Sequence, residues 1–173
     1  MKEQQKKYEL TDEFIEHWSG KKLYRIRALV TFGSVVVGQL GGFVESEKNL
    51  DQSLLGNAWV FDDAQVFDDA QVSGNAQVYG DAQVYGDASV RSYAIISDKK
   101  MIFWASNVGS ENGTLTVFNG KGGLIVTRGC FTGTVDEFLS KSAKVHDDKT
   151  KNEYKLLIEV AKSRILGVKD ERN

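Results

Sequence analysis

Few residues in this chain have chemistry to offer. There is one cysteine, Cys130, and there are two histidines, His17 and His146. A cysteine nucleophile needs a base or a helix N-terminus to lower its pKa. Cys130 follows Arg128 and stands shortly before a helix start at Thr134. A free cysteine closing a β-strand more often serves packing, and packing is the reading adopted for it. Two histidines with scattered carboxylates have no metal-ligand spacing, and no P-loop or dinucleotide fingerprint is present. No catalytic residue, metal or cofactor is therefore expected. The most suggestive stretch is Ser106 to Thr114, SNVGSENGT, which follows a strand and is dense in small donors. Turns of this kind can cradle an anion with backbone amides. Asn107, Ser110, Asn112 and Thr114 supply hydrogen bonds, Arg128 supplies charge, and Trp104 or Phe131 supplies a stacking ring. The plainer alternative is a polar connection whose Gly and Asn residues only satisfy turn geometry.

These residues must be held by the rest of the chain, and its middle is the most regular part. From Gly56 to Ser97 the row divides into seven sixes: GNAWVF, DDAQVF, DDAQVS, GNAQVY, GDAQVY, GDASVR and SYAIIS. The third place is always Ala, and the fifth is Val until Ile96. Ala-x-Val reads as a short strand with side chains in, out, in, and the Gly-Asn, Gly-Asp or Asp-Asp pair turns the corner. Gln65, Gln71, Gln77 and Gln83 face outward. One repeat cannot bury its apolar side alone, so successive repeats must stack.

The flanks read as mixed structure. Lys22 to Phe32 alternates as a strand, and Gly41, Gly42, Phe43 and Val44 suggest an irregular first coil that covers the open edge of the stack. Lys100 to Ala105, Thr114 to Phe118 and Gly123 to Arg128 read as three strands, the last two joined by an NGKG hairpin. Two helices follow. Thr134 with Glu137 and Thr150 with Glu153 form capping-box patterns, the second ahead of an apolar stripe of Tyr154, Leu157, Ile158, Ala161 and Ile165.

The repeat resembles the hexapeptide-repeat family, whose fold is a left-handed parallel β-helix. That resemblance implies three repeats per coil, with residues 18 apart in columns. Phe61 then falls beside Tyr79, Phe67 beside Tyr85, Asp63 beside Asp81, Asp69 beside Asp87 and Asn57 beside Asn75. The aromatic columns are candidates for an oligomer interface or a bed for a flanking segment, with simple ladder packing as the plain alternative. The expected fold is mainly β: a short left-handed parallel β-helix at 56–97, an N-terminal strand and β cap at 1–55, and a C-terminal α+β unit of three strands and two helices at 98–173.

A second resemblance covers nearly the whole chain. LYRIRAL, GGFVESEKNL, GNAWVFDDAQV, SNVGSENGTLTVF and RGCFTGTVDEF look like small hexapeptide-repeat proteins encoded by phages and prophages, which often carry a transferase label drawn from the repeat alone. Acyltransferases of the hexapeptide family use a histidine base in or near the coils, whereas His17 and His146 both lie outside the repeats.

Charge narrows the field further. Residues 51–90 hold seven acidic and no basic residues, against a net charge of −2 for the chain. A general nucleic-acid binder needs a larger positive excess, so direct nucleic-acid binding is not expected. No apolar run approaches the roughly 18 residues that span a bilayer. A single cysteine and a charged N-terminus point to a reducing, cytoplasmic setting: the host cytoplasm, if the protein is phage-encoded. The leading expectation is a non-catalytic, oligomeric binding protein that occupies a host component, either a small anionic nucleotide or a host protein. The alternatives are a divergent acyltransferase using Cys130 or His146, an oligomerisation module, and an acidic nucleic-acid mimic.

Overall fold

The computed structural model describes residues 5–167. The chain is mainly β, with two helices near its C-terminus. Three strands open it: β1 (Tyr8–Glu16), β2 (Lys22–Ala28) and β3 (Leu40–Val44). Seven two-residue strands follow, one per repeat: β4 (Trp59–Val60), β5 (Gln65–Val66), β6 (Gln71–Val72), β7 (Gln77–Val78), β8 (Gln83–Val84), β9 (Ser89–Val90) and β10 (Ile95–Ile96). Four longer strands come next, β11 (Ile102–Val108), β12 (Gly113–Gly120), β13 (Gly123–Arg128) and β14 (Phe131–Thr134), and then α1 (Val135–Val145) and α2 (Asp148–Leu166).

The short strands stack in parallel ladders with a shift of 18 residues. Trp59 pairs with Gln77 and Gln77 with Ile95; Gln65 pairs with Gln83, and Gln71 with Ser89. Each repeat's Ala and Val (or Ile96) is buried, while Gln71 and Gln77 are exposed. The corner residues Asp62, Asp68, Gly74, Gly80, Gly86 and Ser92 all adopt positive φ, which explains the choice of Gly and Asp there. Phe61 meets Tyr79 edge-on at 6.1 Å, and Phe67 stacks on Tyr85 at 4.9 Å.

The top of the stack is closed by the N-terminal flank. β3 pairs in parallel with β5, Phe43 opposite Gln65, so this turn is 22 residues long rather than 18. Gly41 and Gly42 are needed here: a Cβ would lie 2.5 Å from the Val60 carbonyl oxygen and 2.4 Å from that of Ala64. β1 and β2 continue the sheet antiparallel. β1 was not expected, because YELTDEFIE is mostly polar and reads as a charged segment. It is an edge strand whose Glu9 and Glu13 pair with Arg27 and Arg25 of β2. Basic residues of the same flank meet the acidic corners, Arg25 with Asp63, Lys21 with Asp68 and Lys48 with Asp69. Three of the acidic corners are thus neutralised within one chain, while Asp81 and Asp87, the column neighbours of Asp63 and Asp69, make no ion pair among the described residues.

The cap and the coils share one core. Trp59, in the outward place of the first repeat, is fully buried between Tyr8 and Phe32. Lys7 is also fully buried; its Nζ donates to the Ala58 carbonyl at 2.9 Å and lies over the Phe32 ring. Burial, only partly offset by Asp51, pushes its pKa down to about 8. The folded chain therefore binds fewer protons than the unfolded one between about pH 8 and 10.5, and stability rises with pH across that window. Tyr8 acts in the opposite sense. Burial, with Glu47 and Asp51, raises its phenol above the usual 10, so its contribution is lost as pH climbs beyond that value. Urea denaturation should show a gain on the order of 2 kcal/mol from about pH 7 to pH 10, absent in Lys7→Met. A wild-type stability that is flat or falling over this interval would refute the account of Lys7.

The C-terminal sheet has the order β11-β12-β13-β14, four antiparallel strands rather than the three expected. The added strand, FTGT, is too short and polar to signal itself; it exists because Arg128 and Phe131 pair across a two-residue turn. Cys130 occupies that turn and is exposed, which corrects the expectation of a packed thiol. Gly120 and Gly123 close the NGKG hairpin as anticipated. The Thr134–Glu137 capping box opens α1, but α2 begins at Asp148 with Asp147 capping the Thr150 amide, instead of at the Thr150–Glu153 pattern. An Asp at the N-cap competes well with Thr and sits three residues earlier. Both helices pack on β11–β13 through Phe138, Tyr154, Ile158 and Ala161. Among the described residues, no helix is long and apolar enough to cross a membrane.

Candidate functional site

β11 and β12 form a hairpin whose tip, Gly109–Asn112, lies against α2. Tyr154 on α2 is fully buried, and its hydroxyl sits where any Cβ at residue 109 would be, only 2.0 Å away. Glycine with φ 77° is therefore required, and the Gly109 amide donates to Glu153 at 2.8 Å. The tip is held to the helix by both contacts.

Arg128, at the end of β13, reaches into the same corner. Its side chain is only 15% exposed. Nε donates to the Tyr154 hydroxyl at 2.9 Å, and Nη2 pairs with Glu111 on the hairpin tip at 3.1 Å. Burial works against the guanidinium charge, but the Tyr154 hydroxyl and the Glu111 carboxylate outweigh it and raise its pKa further. Between tip, strand and helices is a cleft of about 360 Å3. Arg128, Ser110 and Glu111 form one wall; Lys141, Ser142 and His146 of the α1 end form the other, with Phe131, Phe138 and Tyr154 as aromatic lining. Lys141 extends over the Phe131 ring, with Nζ 5.6 Å from its centroid.

The arrangement favours binding over turnover. Ser142 Oγ and His146 Nδ1 are 2.8 Å apart, which looks like a nucleophile and its base. Ser142 is 2% exposed, however, and cannot present its hydroxyl to a substrate. Cys130 does not line the cleft. What remains is the Arg128 and Lys141 cations, the Ser110 hydroxyl, the exposed Glu111 carboxylate and the Phe131 ring, around a space suited to an anionic group that displaces Glu111 beside a planar one. A larger groove of about 1090 Å3 runs along the end of α2, but one of its walls is Gly167, the limit of the described residues.

The structure divides the residues singled out from sequence into three places. Ser110, Arg128 and Phe131 meet in the cleft. Asn107 and Asn112, both at positive φ, and Thr114, bonded to Ser106 at 3.0 Å, belong to the hairpin outside it. Trp104 lies against the coils, edge-on to Tyr85 at 4.7 Å, in a separate cavity with Gln83, Lys99 and Arg164. Of the candidate interface residues, Phe67 is buried between His17 and Tyr85, Phe61 and Tyr79 are half-buried, and Tyr85 is exposed. Sequence reading passed over Glu111, Lys141 and Tyr154 at the cleft. Lys141 stands three residues after Phe138, a spacing that would have placed it on the same helix face.

No protein-family model matches the chain, and no curated protein matches it.

Proposed function

We propose that this chain is a non-catalytic binding protein that sequesters a small anionic nucleotide in the Arg128 cleft. The observation that carries this reading is the largely buried guanidinium of Arg128, oriented by Tyr154 and facing Lys141 and Phe131 across a cleft. A phosphate on Arg128 and Lys141 with a base against the partly exposed Phe131 ring satisfies both halves of the site. The coil stack is proposed to be a short left-handed β-helix of the hexapeptide-repeat kind; the 18-residue ladders and the buried Ala and Val support it. The sequence likeness to phage and prophage hexapeptide-repeat proteins supports a setting in which the protein removes a host signal in the bacterial cytoplasm. The neutralised corners at Asp63, Asp68 and Asp69 weigh against acidic mimicry as the main role.

Native mass spectrometry of the protein purified from bacterial cells tests the reading. A nucleotide-sized adduct released on denaturation is expected. A ligand-free chain that instead retains a host protein would replace the small ligand with a protein partner.

Glu111 offers a second check. It is 80% exposed and stands where an anionic ligand would pair with Arg128. Glu111→Gln should tighten pyrophosphate binding by about fivefold, the scale of removing one competing exposed charge. Unchanged or weaker binding in a calorimetric titration would place the anion elsewhere.

A further inference from the structure

The repeat breaks its own rule at one corner. Its second place holds Asn or Asp six times and then Tyr93. With the 18-residue register, Asn57, Asn75 and Tyr93 form one column along the stack. The Asn57 backbone N–H donates to Asn75 Oδ1 at 3.1 Å, and the Asn75 Nδ2 has no acceptor among the described residues. Beside this column runs a groove of about 390 Å3, bounded by Asn57, Asn75, Gln77, Tyr93, Ile95 and Lys121. Tyr93 is 55% exposed, and Lys121 makes no ion pair among the described residues. The Lys121 backbone N–H donates to the Tyr93 carbonyl at 2.9 Å, so the two residues stand side by side at the groove. A further cavity of about 450 Å3, with Leu124 and Ile125 in its wall, shares Tyr93 and Lys121.

We infer that this groove is a second binding site, for an acidic saccharide. Side-chain amides pair with vicinal hydroxyls, donating to one and accepting from the next, and Asn57, Asn75 and Gln77 place three of them along one wall. The Tyr93 ring supplies the apolar plate on which a sugar's C–H face rests, and Lys121 meets one carboxylate. A peptide added as a strand does not fit: Asn119 Nδ2 already takes the Ile95 carbonyl, and Gly120 bridges Ala94. A nucleotide would present more phosphate charge than a single lysine answers.

NMR titration of the whole protein with glucuronic acid and with glucose reads this directly. Glucuronic acid should shift the side-chain amides of Asn57, Asn75 and Gln77 with a Kd on the order of 1 mM, and glucose about tenfold more weakly. Lys121→Gln should remove the difference between the two sugars, and Tyr93→Ala, a change at an exposed ring, should abolish both responses. Three results would overturn the assignment: no shift of these amides up to about 50 mM sugar, shifts that persist in Tyr93→Ala, or equal shifts with inorganic phosphate.

Discussion

Replacing Trp59 by alanine is expected to destabilise the protein by about 3–5 kcal/mol, the usual cost of emptying a buried aromatic site. Trp59 joins the cap to the coils. Its ring meets Tyr8 and Phe32 edge-on at 6.1 and 5.4 Å, and its indole edge would lie 2.8 Å from any Cβ placed at Gly41. Alanine would leave a cavity between two layers whose backbones are fixed by strand pairing, so little collapse can fill it. The indole N–H is buried without a partner among the described residues, a polar group whose desolvation is uncompensated. Trp59→Phe removes that group and keeps most of the volume, and should cost less than about 1.5 kcal/mol. Urea denaturation of both variants measures the pair. A loss below about 1 kcal/mol in Trp59→Ala would mean that the cap does not depend on this ring.

Arg128→Gln should weaken pyrophosphate binding by about 100-fold, since one charge-assisted, partly desolvated anion contact contributes roughly 1.5–3 kcal/mol. The fold should survive. Tyr154 remains packed on Phe138 at 5.0 Å, and Gly109 remains bonded to Glu153. Glutamine keeps a donor for the Tyr154 hydroxyl but loses the charge. Opposite responses from Arg128→Gln and Glu111→Gln would separate an anion site from a general loss of structure. If both variants bind pyrophosphate as the wild type does, the cleft is not the anion site.

The coils were legible because their signal is periodic. Seven matches to one six-residue pattern specify inward Ala and Val, the corner residues and, with three repeats to a turn, every column. The Asn57–Asn75 contact and the Phe67–Tyr85 stack follow from that arithmetic. β1 escaped because an edge strand held by ion pairs carries no apolar alternation. β14 escaped because four residues with a glycine are held only by their partner strand. The site was half visible for a similar reason. Arg128, Ser110 and Phe131 could be grouped from strand and turn chemistry, whereas Trp104 points toward the coils, and a local reading cannot say on which side of a sheet a neighbouring layer lies. Lys141 and Tyr154 enter the cleft only through the packing of α1 and α2 on that sheet.

The most direct test of the central claim is calorimetric titration of the 173-residue chain with a panel of cyclic mono- and dinucleotides. Saturable binding of at least one member, lost in Arg128→Gln and preserved in Tyr93→Ala, is the predicted result. No heat from any nucleotide, or binding that Arg128→Gln leaves intact, would contradict it.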